Sequence, residues 1–390
     1  MTTIAPERFL SRGRFGSDGT LLAGIFIAAV TGMAVLWSAS TGYAISLGHP
    51  SWWFAARQAV FWIPALILFG VAVIIPIDSL RSHIGAITVV GLAFLALPFF
   101  PVIGEHRNGA ARWINLGIAT IQPSEFWKPV ALVYLSHVLA KRGGDPSAEG
   151  PVSLVGPFLL VAFGSLMIYF QNDFSTAVIA MVAAAAVFWV AGAPAGAFAG
   201  MGLAGAALGT LMVLTSDFRL RRILSFLFPN YEPHGQSYQI LASLRAIREG
   251  GFFGKGLGLG TLKVGSIPEV QSDFVFASFS EEVGFVGILL FFALWALIAV
   301  RAFGNAYREE DRFRSLLGFG LGFLIVLEVL INTAVAAGVV PATGIALPFV
   351  SAGGSSLMAS ATVAGLLVNL GRDGRGLSGA EGDAKAALDD

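Results

Sequence analysis

Apolar stretches of about 20 residues recur from one end of the chain to the other, and that is the length a helix needs to cross a bilayer. Ten such spans can be read, at roughly 21–40, 53–75, 83–101, 126–140, 152–170, 174–192, 196–215, 276–300, 315–338 and 354–370. Hydrophobic residues make up 56% of the 390 positions and charged residues 12%, about half the usual globular share. The expected fold is therefore an all-α polytopic membrane protein of about ten transmembrane helices. Arg8, Arg12 and Arg14 precede the first span, as in a secretory leader, but its apolar run is long for a cleaved segment and nine more spans follow. A retained first helix is expected.

Basic residues set the orientation. With the N-terminus inside, the cytoplasmic segments hold Arg81, then Lys141 and Arg142, then Arg301, Arg308, Arg312 and Arg314, and the C-terminus is inside as well. The short outer loops near 41–51, 171–173 and 339–353 hold no Lys or Arg. The expected organisation is a cytoplasmic tail over 1–20, a membrane domain over 21–371 and a disordered cytoplasmic tail over 372–390. Within the domain, 216–275 forms a large extracytoplasmic loop before the eighth helix. Zero net charge gives no basic footprint for nucleic acid, and the absence of cysteine removes disulfides and thiolate chemistry.

Four polar clusters fall on the outer side, where ionisable groups at membrane depth suggest a functional site. In "NGAARWINLGIATIQPSEFWKP" (108–129), Pro123 suits a first helical turn, and Glu125 and Lys128 share a helix face. They form either a structural ion pair or the charged lining of a cavity. In "YFQNDFSTA" (169–177), Asp173 sits in a short hairpin, and capping of the sixth span is favoured over direct chemistry. The loop 216–275 opens on "DFRLRRILSFLFP", with Arg219, Arg221 and Arg222 beside an amphipathic run suited to an interfacial helix or to anionic headgroups. Its "GGFFGKGLGLGTLK" lacks the Walker pattern, so nucleotide binding is rejected; presentation of Lys255 or Lys263 to a phosphate stays open. In "PATGIALPFVSAGGSS" (341–356), prolines and glycines break the helix, and Ser355 and Ser356 either cap the last span or bind an anionic group. Finally "PEVQSDFVFASFSEEVGF" (268–285) puts Asp273, Glu281 and Glu282 at the mouth of the eighth span. From the residues alone, Asp273 reads most simply as a helix cap.

Taken together, "RWINLGIATIQPSEFWK", "QNDFSTA", "YQILASLRAIREGGFFGKGLGLG", "PEVQSDFVFASFSEEVG" and "PATGIALPFVSAGGSS" resemble the SEDS family, the polytopic peptidoglycan glycosyltransferases of shape, elongation, division and sporulation, and lean towards its FtsW-like branch. The resemblance runs over nearly the whole chain with the motifs in family order. It implies ten helices in the bacterial cytoplasmic membrane and polymerisation of lipid II into glycan strands at the outer face. It implies Asp273 as the catalytic residue, with Arg57, Arg112, Glu125, Lys128, Asp173, Arg219, Arg222, Lys263, Ser355 and Ser356 binding substrate pyrophosphate or lining the cavity. Gln271, Glu281 and Glu282 are expected behind them. The implied partners are lipid II, membrane lipids and a class B penicillin-binding protein transpeptidase. A divalent cation (Mg or Mn) could share the charge on the leaving group; no organic cofactor is expected. Three motifs depart from the family. It reads HTDF where this chain has Gln271-Ser272-Asp273-Phe274, QPDLGT where it has "QNDFST", and SYGG where it has "SAGG", with Ala352 in place of tyrosine. Two other functions compete: a flippase or transporter for the same precursor, since broken helices with intramembrane charge also suit transport, and a non-catalytic scaffold of the division machinery.

Overall fold

The computed structural model describes residues 18–107, 110–117, 119–141, 152–228, 236–262 and 270–373. The expected tails fall mostly outside these residues, and Lys263 lies outside them altogether. All ten predicted spans are helical: α1 (Gly19–Ser46), α2 (Trp53–Ile74), α4 (Ile84–Ala96), α5 (Pro123–Ala140), α6 (Val152–Phe170), α7 (Phe174–Val190), α8 (Ala195–Leu214), α11 (Val275–Arg308), α12 (Arg312–Ala336) and α13 (Gly354–Asp373). Six of them, α1, α2, α8, α11, α12 and α13, are long and apolar enough to cross a membrane by length and composition, and α4, α6 and α7 are shorter apolar helices. A short α3 (Ile77–Ser82) joins α2 to α4. The Arg-rich run at the start of the large loop is α9 (Asp217–Leu227), followed by α10 (Gln236–Glu249).

The helical fold carries one addition. Between α4 and α5 the chain forms a three-stranded antiparallel sheet of β1 (Gly104–Arg107), β2 (Ala110–Asn115) and β3 (Thr120–Ile121), in that order. Gly104 pairs with Ile114 and Ile114 with Ile121, and a bulge separates Glu105 from His106. These strands are too short to compete with the surrounding helical periodicity when the sequence is read alone. The sheet delivers Arg112 and the start of α5 to one end of the bundle.

Of the six long apolar helices α12 and α13 are the most buried, whereas α8 buries none of its residues. In water an all-apolar exposed helix would be costly; in a bilayer the exposed face is in its own solvent. At the end assigned to the cytoplasm, ion pairs fasten the helices. Asp18 accepts from the Thr20 and Leu21 amides at the N-terminus of α1, and its Oδ2 receives Arg301 at 2.7 Å and Asn305 at 3.0 Å from α11. Arg81 meets Asp311 at 3.0 Å and Arg314 meets Asp78 at 3.2 Å. The basic residues that set the orientation thus also close the helix ends.

At the opposite end α11 is broken two residues after its acidic pair. Gly284 has φ +64° and ψ −166°, a conformation that only glycine adopts readily. The break lets residues 251–256 pair with the α11 backbone: Lys255 and Gly256 donate to the Glu281 and Glu282 carbonyls at 3.0 Å, and Phe285 donates to Gly251 at 3.0 Å. The glycine-rich stretch is therefore stitched onto the membrane helix.

Candidate active site

The four polar clusters meet at this end of the bundle. Gln122, the N-cap residue of α5, joins three of them. Its backbone N–H donates to Ser355 Oγ at 2.8 Å, and its Nε2 donates to Asp173 Oδ2 at 2.8 Å and to Ser124 Oγ at 3.0 Å. Asp173 is buried and caps α7 through Thr176 N–H at 3.4 Å. Its second oxygen faces Gln122, so it both caps and joins the site. Ser355 acts as an acceptor for Gln122, whereas Ser356 donates to the Gly353 carbonyl at 3.1 Å.

Lys128 lies one turn into α5 and is 3% exposed. Its ammonium contacts Glu125 at 2.9 Å and Glu328, on α12, at 2.5 Å. Glu328 was not singled out by sequence reasoning, although a lone carboxylate within the apolar run 315–338 is such a signal. With one ammonium between two carboxylates, Lys128 has its charge balanced before any substrate arrives.

Asp273 is half-buried, directly before the N-cap of α11. The N-cap position of that helix is Phe274, one residue later, and Phe274 makes no side-chain cap bond. The stretch around Asp273 is held by the broken segment 341–353. Ala352 N–H donates to the Gln271 carbonyl at 2.8 Å, and Ser351 Oγ donates to the Ser272 carbonyl at 2.5 Å while accepting from Leu347 N–H at 2.9 Å. Gln271 and Ala352, which stand where the SEDS motifs have histidine and tyrosine, are thus joined by one hydrogen bond. Gln58 on α2 holds the same segment from behind, reaching the Ser351 carbonyl at 3.3 Å and the Gly353 N–H at 3.2 Å. Asn332 on α12 donates to the Asp273 carbonyl at 3.3 Å.

Arginines face these carboxylates. Arg219 donates to Tyr169 Oη at 2.9 Å and to Asn172 Oδ1 at 3.3 Å, and stacks over the Tyr169 ring at 4.5 Å. Arg112 reaches the Asn172 carbonyl from β2. Arg222 is partly buried, and burial pulls its guanidinium below the ordinary arginine value; Asp273 and Asp173 oppose that pull, while Arg112 and Arg219 add to it. An arginine in this range keeps its charge. Arg222 is therefore within electrostatic reach of both aspartates and both other arginines. Arg57 is an exposed residue of α2, next in sequence to the buried Gln58.

Glu281 and Glu282 are buried and face the glycine-rich stretch. Glu281 Oε1 accepts from Lys255 Nζ at 2.7 Å and from Thr261 N–H at 2.8 Å; Glu282 accepts from Ser38 Oγ at 2.6 Å and Gly258 N–H at 3.0 Å. Lys255 also pairs with Glu249. The hydrogen bonds its ammonium donates to these two carboxylates hold it above the ordinary lysine value. Lys255 is thereby turned to its own chain rather than presented to a phosphate.

A helical bundle with several helices long and apolar enough to cross a bilayer, and with its carboxylates and arginines gathered at one end, defines a multi-pass integral membrane protein. The sequence profile of the FtsW/RodA/SpoVE cell cycle proteins matches residues 19–375, and the chain belongs to that family. It is 33% identical over 363 residues to a probable peptidoglycan glycosyltransferase FtsW of Geobacter sp. (strain M18), covering 93% of this chain and 98% of the relative. It is 34% identical over 346 residues to the stage V sporulation protein E of Bacillus subtilis, covering 88% of this chain and 94% of that protein. Its fold matches a chain from a peptidoglycan synthase complex that coordinates polymerization and crosslinking, with TM-score 0.75, 26% identity and coverage of 93% and 99%. It also matches the rod shape determining protein RodA of Thermus thermophilus, with TM-score 0.69, 25% identity and coverage of 93% and 98%.

Proposed function

We propose that this protein is a peptidoglycan glycosyltransferase that polymerises lipid II at the outer face of the cytoplasmic membrane, in the FtsW-like role of cell division. The observation that carries the reading is Asp273: a half-buried carboxylate one residue before the N-cap of α11, its backbone held by Asn332 and its Oδ2 facing Gly344, at the end where the polar clusters meet. In this mechanism Asp273 takes the proton from the acceptor sugar's 4-hydroxyl. The freed oxygen pair attacks the donor's anomeric carbon, and the bond from that carbon to the lipid pyrophosphate breaks. Arg222, Arg112 and Arg219 offset the charge gathering on the departing pyrophosphate. Glu125 and Glu328 keep Lys128 fixed as a wall of the site.

A Mg or Mn ion would be held by carboxylate and substrate phosphate oxygens. Such an ion would add positive charge at the leaving group. A single-span class B penicillin-binding protein is the proposed partner; the likeness to a chain of a synthase complex supports it.

The test is Asp273→Asn in purified protein supplied with lipid II. Loss of glycan polymer is expected, and full polymerisation by that variant would overturn the base assignment. Wild-type protein that moves lipid II between leaflets without forming polymer would overturn the enzyme reading itself.

A further inference from the structure

α12 carries Glu328 and Asn332, two buried polar side chains one helical turn apart, and a buried Thr333 whose hydroxyl donates to the Val329 carbonyl of its own helix. Glu328 holds Lys128. Asn332 is 1% exposed, and its Nδ2 donates to two backbone carbonyls, Ile345 at 2.7 Å and Asp273 at 3.3 Å. Carbonyl oxygens only accept, so the nitrogen of the amide has to face them; the opposite orientation would set three acceptors together.

The two bonded residues belong to the two sides of the site. Asp273 carries the proposed base. Ile345 lies in the broken segment and follows Gly344, which has φ +74° and faces the Asp273 carboxylate: a Cβ at that position would lie 3.8 Å from Asp273 Oδ2. The Asn332 amide thus spans the same gap that separates the carboxylate from its facing wall. It is anchored on a helix buried against α5, α7, α11 and α13.

We infer that Asn332 is a positioning residue for Asp273. By holding the Asp273 and Ile345 carbonyls on one rigid amide, it sets where the carboxylate stands relative to the segment across from it. This rests on the reading of Asp273 as the base. A base displaced by about 1 Å loses roughly 100-fold in rate, because proton transfer needs hydrogen-bond reach. Asn332 itself touches neither substrate nor proton.

The experiment compares Asn332→Leu and Asn332→Asp with wild type, each as full chain in nanodiscs, by steady-state polymerisation of lipid II. Asn332→Leu removes both donors. Asn332→Asp keeps the shape, with one donor when protonated and none when ionised. The expected result is a kcat fall of about 10- to 100-fold in Asn332→Leu with KM changed less than about twofold. For Asn332→Asp, kcat relative to wild type should fall further as pH rises. A residue that only supports the fold would lower the amount of active protein without that pH-dependent kcat. Asn332→Ser, milder in volume and still a donor, replaces Asn332→Leu if the latter does not fold, with a smaller kcat fall expected. Wild-type kcat in the folded variants, or a change confined to KM, overturns the inference. Asp273→Asn run alongside separates the two ideas: its full activity sinks the base assignment, whereas its inactivity beside wild-type kcat in the Asn332 variants sinks this inference alone.

Discussion

Replacing Lys128 by Met tests whether the buried charge cluster is a unit. The substitution keeps most of the side-chain volume and removes the ammonium between Glu125 and Glu328. Glu328 is then left buried with no cation among the contacts described for it, facing a second carboxylate. Removing one partner of a buried ion pair typically costs about 3–5 kcal/mol, because the remaining charge keeps its desolvation penalty. At about 1.4 kcal/mol per decade, that is roughly a 10²- to 10⁴-fold rise in the unfolding constant. Adding Glu328→Met removes the stranded carboxylate, and apolar replacement of a whole buried pair is often near neutral. The double variant should therefore recover at least about 2 kcal/mol over Lys128→Met. The assay is equilibrium unfolding in mixed detergent–SDS micelles for wild type, both single variants and the double variant. Losses that add to within about 0.5 kcal/mol would refute the coupling, since that is the behaviour of independent sites.

Two further outcomes are expected. Gly284→Ala places a Cβ against the Gly254 backbone at a φ of +64°, so it should detach the glycine-rich stretch from α11; hydrogen exchange over 250–262 should rise sharply, and unchanged protection would refute the stitching. Asp18 tests the inner end. Burial pushes its carboxyl up, but the bonds from Arg301, Asn305 and the Leu21 amide outweigh it and leave it below 3.8. A depressed acid contributes stability that is present above its unfolded value and lost as pH falls through the lower folded one. Asp18→Asn should cost about 1–2 kcal/mol at pH 7 and lose its difference from wild type in strong acid; a cost that persists there would count against the charge pairing.

The spans were legible because a bilayer imposes a local rule: about 20 apolar residues and internally satisfied backbone, whatever the neighbours. The break before α13 was legible too, from Pro341, Pro348 and the glycines around them. Asp173 was legible as a cap, but not as a partner of Gln122, 51 positions away. The small sheet was not legible, since strands of two to six residues leave little period to read. Lys255 and Lys263 looked alike in sequence as candidate phosphate ligands; Lys255 is committed to Glu249 and Glu281.

By itself the sequence determined that the chain is a helical membrane protein, which of its ends collects the polar groups, and, through five motifs in order, the family to which it is similar. Those properties follow from composition and spacing along one strand of chain. Only the tertiary structure decided which distant residues the carboxylates and amides of the site meet. Lys128 finds Glu328 across 200 positions, and Asn332 finds Asp273 across 59. Helix packing chooses such pairings, because a charge or amide in an apolar interior must meet its complement wherever the fold brings one within about 3 Å.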